Sequence, residues 1–258
     1  MSSGMPQGSV LGPLLYTLFT ADIPQHHSTI MSTFADDTAV LACHANLNIA
    51  TTALQTHLDS IADWISKWRL KINENKSTHV TFTLRKGTSP PLHLNHNTIP
   101  QADTVKYLGL HFDKRLTWKH HILQTRKHLN LKTRNLYWIL GRHSPLSLRN
   151  KALIYKVILR PVWIYGTELW GCASTSNIEI LQRYQSKLLR LITQAPWYMT
   201  THALHLDLGI PTVQEVSKAK AAAHCHALQV HPNPLLGPLT TPPPDRRLRR
   251  KWIFDELN

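Results

Sequence analysis

An α+β fold in two parts is predicted for this 258-residue chain: a first segment mixing short strands with helices, then a longer run of helices. Three observations predict it. Apolar and β-branched residues line short stretches on both sides of the pair Asp36-Asp37, helical spacing dominates after Asp113, and the charge changes character at the same place. Lys and Arg balance Asp and Glu up to residue 112, 7 against 7, whereas residues 113–258 hold 22 basic against 8 acidic. The whole formal excess of +14 therefore lies in the second part. An excess of that size points to a polyanion partner, in practice nucleic acid or an anionic membrane face, in preference to a merely solubilising surface.

The elements follow in order. Two glycines and a proline in residues 2–8 precede an apolar run over residues 10–19, a short helix in which Pro13 is tolerable only in the first turn. Residues 29–34 and 38–43 read as strands joined by a tight turn at Ala35-Asp36-Asp37. Leu54, Leu58, Ile61, Ile65 and Trp68 recur at helical spacing and predict an amphipathic helix of about five turns. Strands are expected over residues 77–84, 92–94 and 105–112. Long helices are expected over residues 117–140, 146–170 and 177–193, the second kinked or divided at Pro161. Ser176 with Glu179, and Thr212 with Glu215, have the spacing of capping boxes, and the second predicts a helix reaching about Val230. A proline-rich tail from His231 ends near the basic run Arg246-Arg247-Leu248-Arg249-Arg250-Lys251, which suits nuclear import, RNA binding or simple solvation.

Composition excludes several classes. Ample apolar content and eight tryptophans argue against wholesale disorder. Cys43, Cys172 and Cys225 are too few and too scattered for a disulfide framework or a paired-cysteine zinc module, which points to an intracellular protein of the cytoplasm or nucleus. No stretch approaches the roughly 18 apolar residues of a membrane span, and no secretory leader pattern opens the chain. Among seventeen histidines, His26-His27, His120-His121 and His224-Cys225-His226 are spaced too tightly to close a zinc site alone and are expected at the surface. Trp138, Trp163, Trp170 and Trp197 could stack on bases, but amphipathic helices more often bury such residues.

The chemistry centres on Asp36 and Asp37. Two carboxylates on one tight turn are hard oxygen ligands suited to Mg²⁺, which keeps several waters and takes one or two protein carboxylates plus substrate phosphates. Adjacent aspartates are also common in solvated turns, so context decides. That context is Met5-Pro6-Gln7-Gly8-Ser9-Val10-Leu11-Gly12-Pro13-Leu14-Leu15 upstream and Phe34-Ala35-Asp36-Asp37 downstream, in this order and at short separation. Together they strongly resemble a reverse transcriptase. The first stretch is similar to the one that supports template and incoming nucleotide, which implies Pro6, Gln7, Gly8 and Ser9 as binding residues. At Gly8 the missing Cβ lets backbone lie against a base or sugar, a helix-start turn being the alternative. The second stretch is similar to the catalytic hairpin of the palm, which implies Asp36 and Asp37 as catalytic metal ligands.

Ile72-Asn73-Glu74-Asn75-Lys76-Ser77 looks like the palm segment whose lysine approaches the nucleotide phosphates, with Lys76 as the catalytic candidate and a solvated surface lysine as the alternative. Tyr107-Leu108-Gly109 resembles the primer grip. Further on, Tyr107-Leu108-Gly109-Leu110, Leu116-Thr117-Trp118, Tyr165-Gly166, Leu169-Trp170-Gly171, Leu181-Gln182-Arg183-Tyr184-Gln185 and Ala195-Pro196-Trp197 look like non-long-terminal-repeat retrotransposons of the jockey type. The likeness covers nearly the whole chain and is weakest in the proline-rich tail.

The resemblance implies an RNA-directed DNA polymerase, a nucleotidyltransferase using two Mg²⁺ ions, with Mn²⁺ able to substitute, on an RNA template and a DNA primer or target. It implies a partial palm over residues 1–112, a basic helical thumb over 113–200, and an extension over 201–258 with a helix and a proline-rich basic tail. Lys119, Arg126, Lys127, Lys132 and Arg134 recur at spacings that could put several on one thumb face for phosphate contacts, an ordinary wet face being the alternative. Such an enzyme also needs an aspartate from an earlier palm strand and upstream fingers. The chain alone is accordingly expected not to polymerise, and an upstream polypeptide completing the palm is an implied partner. The alternative function is a non-catalytic nucleic-acid-binding module derived from the thumb.

Overall fold

The computed structural model describes residues 8–70, 72–73, 76–85, 87–95, 97–233 and 236. Two compact units emerge: residues up to Thr81 together with Arg85–Leu108, and Phe82–Leu84 together with the chain from Gly109 onward. The α+β class is observed, with short antiparallel strand pairs and many helices.

The first unit begins with α1 (Gly12–Thr20), with Pro13 in its first turn as expected. Strands β1 (Ile30–Phe34) and β2 (Asp37–Leu41) pair antiparallel with Phe34 opposite Asp37, so Asp37 opens the second strand instead of lying in the turn. Helix α2 (Leu47–Lys67) starts where the Asn46 side chain accepts from the Asn48 amide. It buries His57, Trp64 and Ile65. Leu54, Leu58 and Ala62 pack on a small cluster of Leu92, Leu94 and Ile99, contributed around strands β3 (His93–Leu94) and β4 (Asn97–Thr98). Strand β5 (Thr104–Tyr107) ends the unit.

Two strand expectations need correction here. Residues 77–84 form no strand; His79 makes a single bridge to Gln101, with its amide bonded to the Pro100 carbonyl. Pro100 has no N–H to extend that pairing, so alternation alone does not produce a ladder. The stretch 105–112 is two strands, β5 and β6 (Leu110–Asp113), because Leu108 (φ 45°) and Gly109 (φ 80°) both turn left-handed.

The second unit continues with α3 (Lys119–Asn135), α4 (Tyr137–Leu140), α5 (Leu148–Ile154), a π-helical turn (Tyr155–Leu159), α6 (Arg160–Ile164), α7 (Thr167–Trp170), α8 (Thr175–Thr193), α9 (Thr201–Leu208) and α10 (Val213–Gln229). The expected 146–170 helix changes from α to π hydrogen bonding just before Pro161 and ends before Gly166. The π turn lets the Arg160 amide reach the Tyr155 carbonyl, and Pro161 sits in the first turn of α6 where its missing N–H costs nothing. The break comes at Gly166, φ 66°. The expected 117–140 helix also breaks, near Leu136, and α9 went unpredicted.

Helix α8 starts at Thr175 with Ser174 as its N-cap, so Ser176 lies inside the helix and makes no capping box. The Thr212–Glu215 box forms as expected, each side chain bonded to the other residue's amide. Helix α8 presents Ile178, Leu181, Tyr184, Gln185, Leu188, Leu189 and Ile192 at helical spacing to a core shared with Trp163, Trp170, Tyr155 and Ile122. Each such aliphatic side chain stabilises by about 1.5–3 kcal/mol when fully buried. By comparison the first unit's cluster is thin. Among the described residues no helix is long and apolar enough to cross a membrane.

Candidate catalytic hairpin and nucleic-acid interface

Asp36 and Asp37 stand exposed at the tip of the β1–β2 hairpin. Only Ala35 and Asp36 separate the paired residues Phe34 and Asp37, so the loop is two residues long, and Ala35 takes φ 47°. A left-handed alanine costs about 1–2 kcal/mol, a cost borne where neighbours hold the turn. Tyr16 of α1 does so, its hydroxyl donating to the Ala35 carbonyl at 2.5 Å. Partial burial, and then the Asp36 charge, raise the Tyr16 pKa, keeping the phenol protonated as that donor.

Helix α2 fixes the segment between α1 and β1. Asp22 accepts from the Trp64 indole at 3.0 Å and the Trp68 indole at 3.3 Å, while Phe19 packs against both rings. Buried His57 bonds to the Pro24 carbonyl through Nε2 at 2.9 Å and to the Thr29 hydroxyl through Nδ1 at 2.7 Å. A carbonyl only accepts, so Nε2 carries a proton toward Pro24. Tyr16, Asp22 and His57 were missed by sequence reading because nothing local marks a tyrosine, aspartate or histidine that bonds across a loop.

The carboxylates suit a divalent cation: two adjacent hard oxygen donors, Asp36 in the turn and Asp37 at the start of β2, with no ion pair to either among the described residues. They are not a closed site. Among those residues no group of three or more His, Cys, Asp or Glu side chains could hold a metal. Gly8 takes φ 89° with open space around it, and Ser9 bonds through its carbonyl and hydroxyl to the first amides leading into α1. Pro6 and Gln7 lie outside the described residues. Lys76 is exposed, in a short turn bonded to Asn73, with no bond to Asp36 or Asp37 among the described residues.

In the second unit the motif residues pack on one another. A Cβ on Gly109 would lie 3.1 Å from the Tyr165 ring, and one on Gly166 would lie 2.6 Å from Leu110 Cδ2. Gln185 donates to the Tyr155 hydroxyl at 3.0 Å and the Pro211 carbonyl at 2.9 Å. Asp113 accepts from the amides of Thr117 and Trp118, clamping a loop in which Leu116 and Trp118 are both left-handed.

Residues 1–112 match the family model of the reverse transcriptase (RNA-dependent DNA polymerase). The chain is 39% identical to a probable RNA-directed DNA polymerase from transposon X-element of Drosophila melanogaster, over 99% of this chain and 29% of that protein. It is 38% identical to a probable RNA-directed DNA polymerase from transposon BS of the same organism, over 100% of this chain and 30% of that one. With the RNA-directed DNA polymerase from mobile element jockey, again of Drosophila melanogaster, it shares 37% identity over 93% of this chain and 27% of that protein. Residues 1–112 carry a reverse transcriptase domain. The chain spans less than a third of the length of these curated relatives. No solved structure matches it.

Three of the five basic residues singled out in α3 share one face, and two do not. At about 100° per residue, Lys119, Lys127 and Arg134 fall on the side away from the buried His121, Ile122, Thr125 and Leu129, and all three are exposed. Lys132 falls near the buried side. Arg126 is half-buried: its guanidinium lies 4.9 Å from the Tyr184 ring centroid and donates to the Ile180 carbonyl at 3.2 Å. Arg126 therefore belongs to the packing between α3 and α8.

Two other expectations change. Trp163 and Trp170 are buried, but Trp138 is 76% and Trp197 90% exposed. His121 is buried instead of at the surface, beside Trp118, Trp170, His111 and His120. Burial foremost, then the neighbouring His111 and His120, hold its pKa down to about 4. The basic run in the tail lies outside the described residues.

Proposed function

We propose that this chain supplies the catalytic hairpin, template support and primer grip of a retrotransposon RNA-directed DNA polymerase, followed by its basic thumb and extension. One arrangement supports the reading above others. The helix that continues the Met5-to-Leu15 motif holds, through Tyr16, the turn at Ala35 that carries Asp36 and leads into Asp37. Two stretches matched in sequence order are thereby joined in space.

In this reading Asp36 and Asp37 hold divalent cation, Mg²⁺ or Mn²⁺. Two such ions there would supply the positive charge that activates the attacking primer hydroxyl and that steadies the pyrophosphate leaving group. Lys76 neutralises charge on the nucleotide phosphates, and Pro6, Gln7, Gly8 and Ser9 bind template and nucleotide. Tyr107, Leu108 and Gly109 orient the primer end. Lys119, Lys127 and Arg134 give the duplex a backbone contact without sequence preference.

The chain alone does not polymerise in this reading, for two reasons. Two carboxylates without a third metal-competent neighbour among the described residues bind Mg²⁺ weakly. In addition, α1 buries no residue, and the hairpin face carrying Asp37 shows Ile30 and Phe34 at 69% and 65% exposure. Uncovered apolar surface of that kind suits an upstream polypeptide that completes the palm. Primer extension on an RNA template, with Mg²⁺ and with the upstream polypeptide supplied in trans, tests both parts. Incorporation is expected only with both polypeptides, and Asp36→Asn abolishes it. Robust incorporation by the chain alone, or incorporation indifferent to Asp36→Asn, would refute the reading.

A further inference from the structure

The exposed aromatics of the second unit sit where the mechanism above does not use them. Tyr137 and Trp138 open α4, and Trp197 and Tyr198 occupy the loop after α8, where Tyr198 is 72% exposed. Exposed aromatic surface of this size is uncommon without a partner.

Both segments are held in place by polar side chains. Arg190 donates to the carbonyls on either side of the aromatic pair, Pro196 at 3.3 Å and Met199 at 2.7 Å. Buried Lys151 donates to the Gly141 carbonyl at 2.9 Å just beyond α4. Gln194 then joins the two segments, donating to the Arg142 carbonyl at 3.2 Å. The Trp197 and Tyr198 rings stand nearly perpendicular, with centroids 6.0 Å apart, so they offer two separate faces and do not cover each other. Backbone anchored beside the rings loses little freedom when a ligand stacks on them.

Charge selects the partner. From Lys114 to Thr167 the sequence holds 12 Lys and Arg and no Asp or Glu, and from Ile180 to Leu206 it again holds no acid. A protein-facing apolar patch has no need of so one-sided a setting, whereas flat aromatic faces among cations are what unpaired bases on a phosphate backbone require. We propose that the Tyr137-Trp138 turn and the Trp197-Tyr198 loop form a stacking surface for single-stranded nucleic acid. Duplex bases are stacked on one another and cannot use it. The surface is independent of Asp36 and Asp37, so failure of one reading leaves the other standing.

Fluorescence anisotropy of the full chain with labelled oligo-dT, oligo-U and a duplex, each about 20 units long, tests this at fixed salt. Trp197→Ala with Tyr198→Ala is expected to weaken single-strand binding about ten-fold or more, as is Trp138→Ala, with the duplex moving less than about two-fold. Trp197→Phe should retain most of the affinity, since a ring remains. A loss confined to oligo-dT or to oligo-U supports the proposal and names the sugar. Unchanged single-strand binding overturns it, as does an equal loss on the duplex. So does sedimentation showing that the alanine variants dissolve a self-assembly of the chain while single-strand affinity stays put.

Discussion

Replacing Gly166 by alanine isolates the contact that ties two motifs together. At φ 66° a Cβ is strained whatever surrounds it, which costs about 1–2 kcal/mol. The new methyl would also stand 2.6 Å from Leu110 Cδ2 and 3.0 Å from Cδ1. Leu110 is buried in the main core and has little room to swing, so overpacking adds about 1–3 kcal/mol. The sum, roughly 2–5 kcal/mol, is a large part of the ~5–15 kcal/mol by which a domain is stable. Gly209 provides the control, because it has φ 56° with nothing within 4 Å and should show the conformational cost alone. Thermal unfolding followed by circular dichroism should drop by roughly 5–15 °C for Gly166→Ala and by a few degrees for Gly209→Ala. Leu110→Ala relieves the clash, so the double variant should cost at least ~1 kcal/mol less than the two single losses added. If Gly166→Ala were no worse than Gly209→Ala, or if the cycle were additive, the packing argument would be wrong.

Three further outcomes are expected. His121 titrates near pH 4 when folded and near 6.5 when unfolded; between those values only the unfolded chain takes up the proton, so stability falls as pH drops through that window, by up to about 3 kcal/mol at its lower end. An NMR titration placing the His121 ring above pH 6 would contradict the burial argument. Thr212→Ala should cost about 1 kcal/mol in urea unfolding by removing the α10 cap, whereas Ser176→Ala, inside α8, should stay within about 0.5 kcal/mol. Substituting Lys119, Lys127 or Arg134 by alanine should each lower the salt slope of duplex binding by about one, while Arg126→Ala should show its main loss in stability.

The α+β class, the hairpin around Asp36, the Thr212 cap and the amphipathic helix α2 are legible in the sequence, because each rests on residues within a few positions of one another. Order and spacing of Gly8, Asp36-Asp37 and Tyr107-Leu108-Gly109 carried the resemblance without any contact being known. Local alternation over residues 77–84 misled, since a ladder depends on a partner strand, and the pairing there stops at the single bridge of His79 to Gln101. Contacts between distant residues, which no sequence pattern reveals, show that Tyr16 holds the turn at Ala35, that a side chain at Gly166 would meet Leu110, and that Arg126 serves packing. The same holds for the four tryptophans: helical spacing treats them alike, yet Trp163 and Trp170 fill the core while Trp138 and Trp197 face solvent. Burial is set by which helix arrives opposite, and that choice is made by long-range packing that no local pattern encodes.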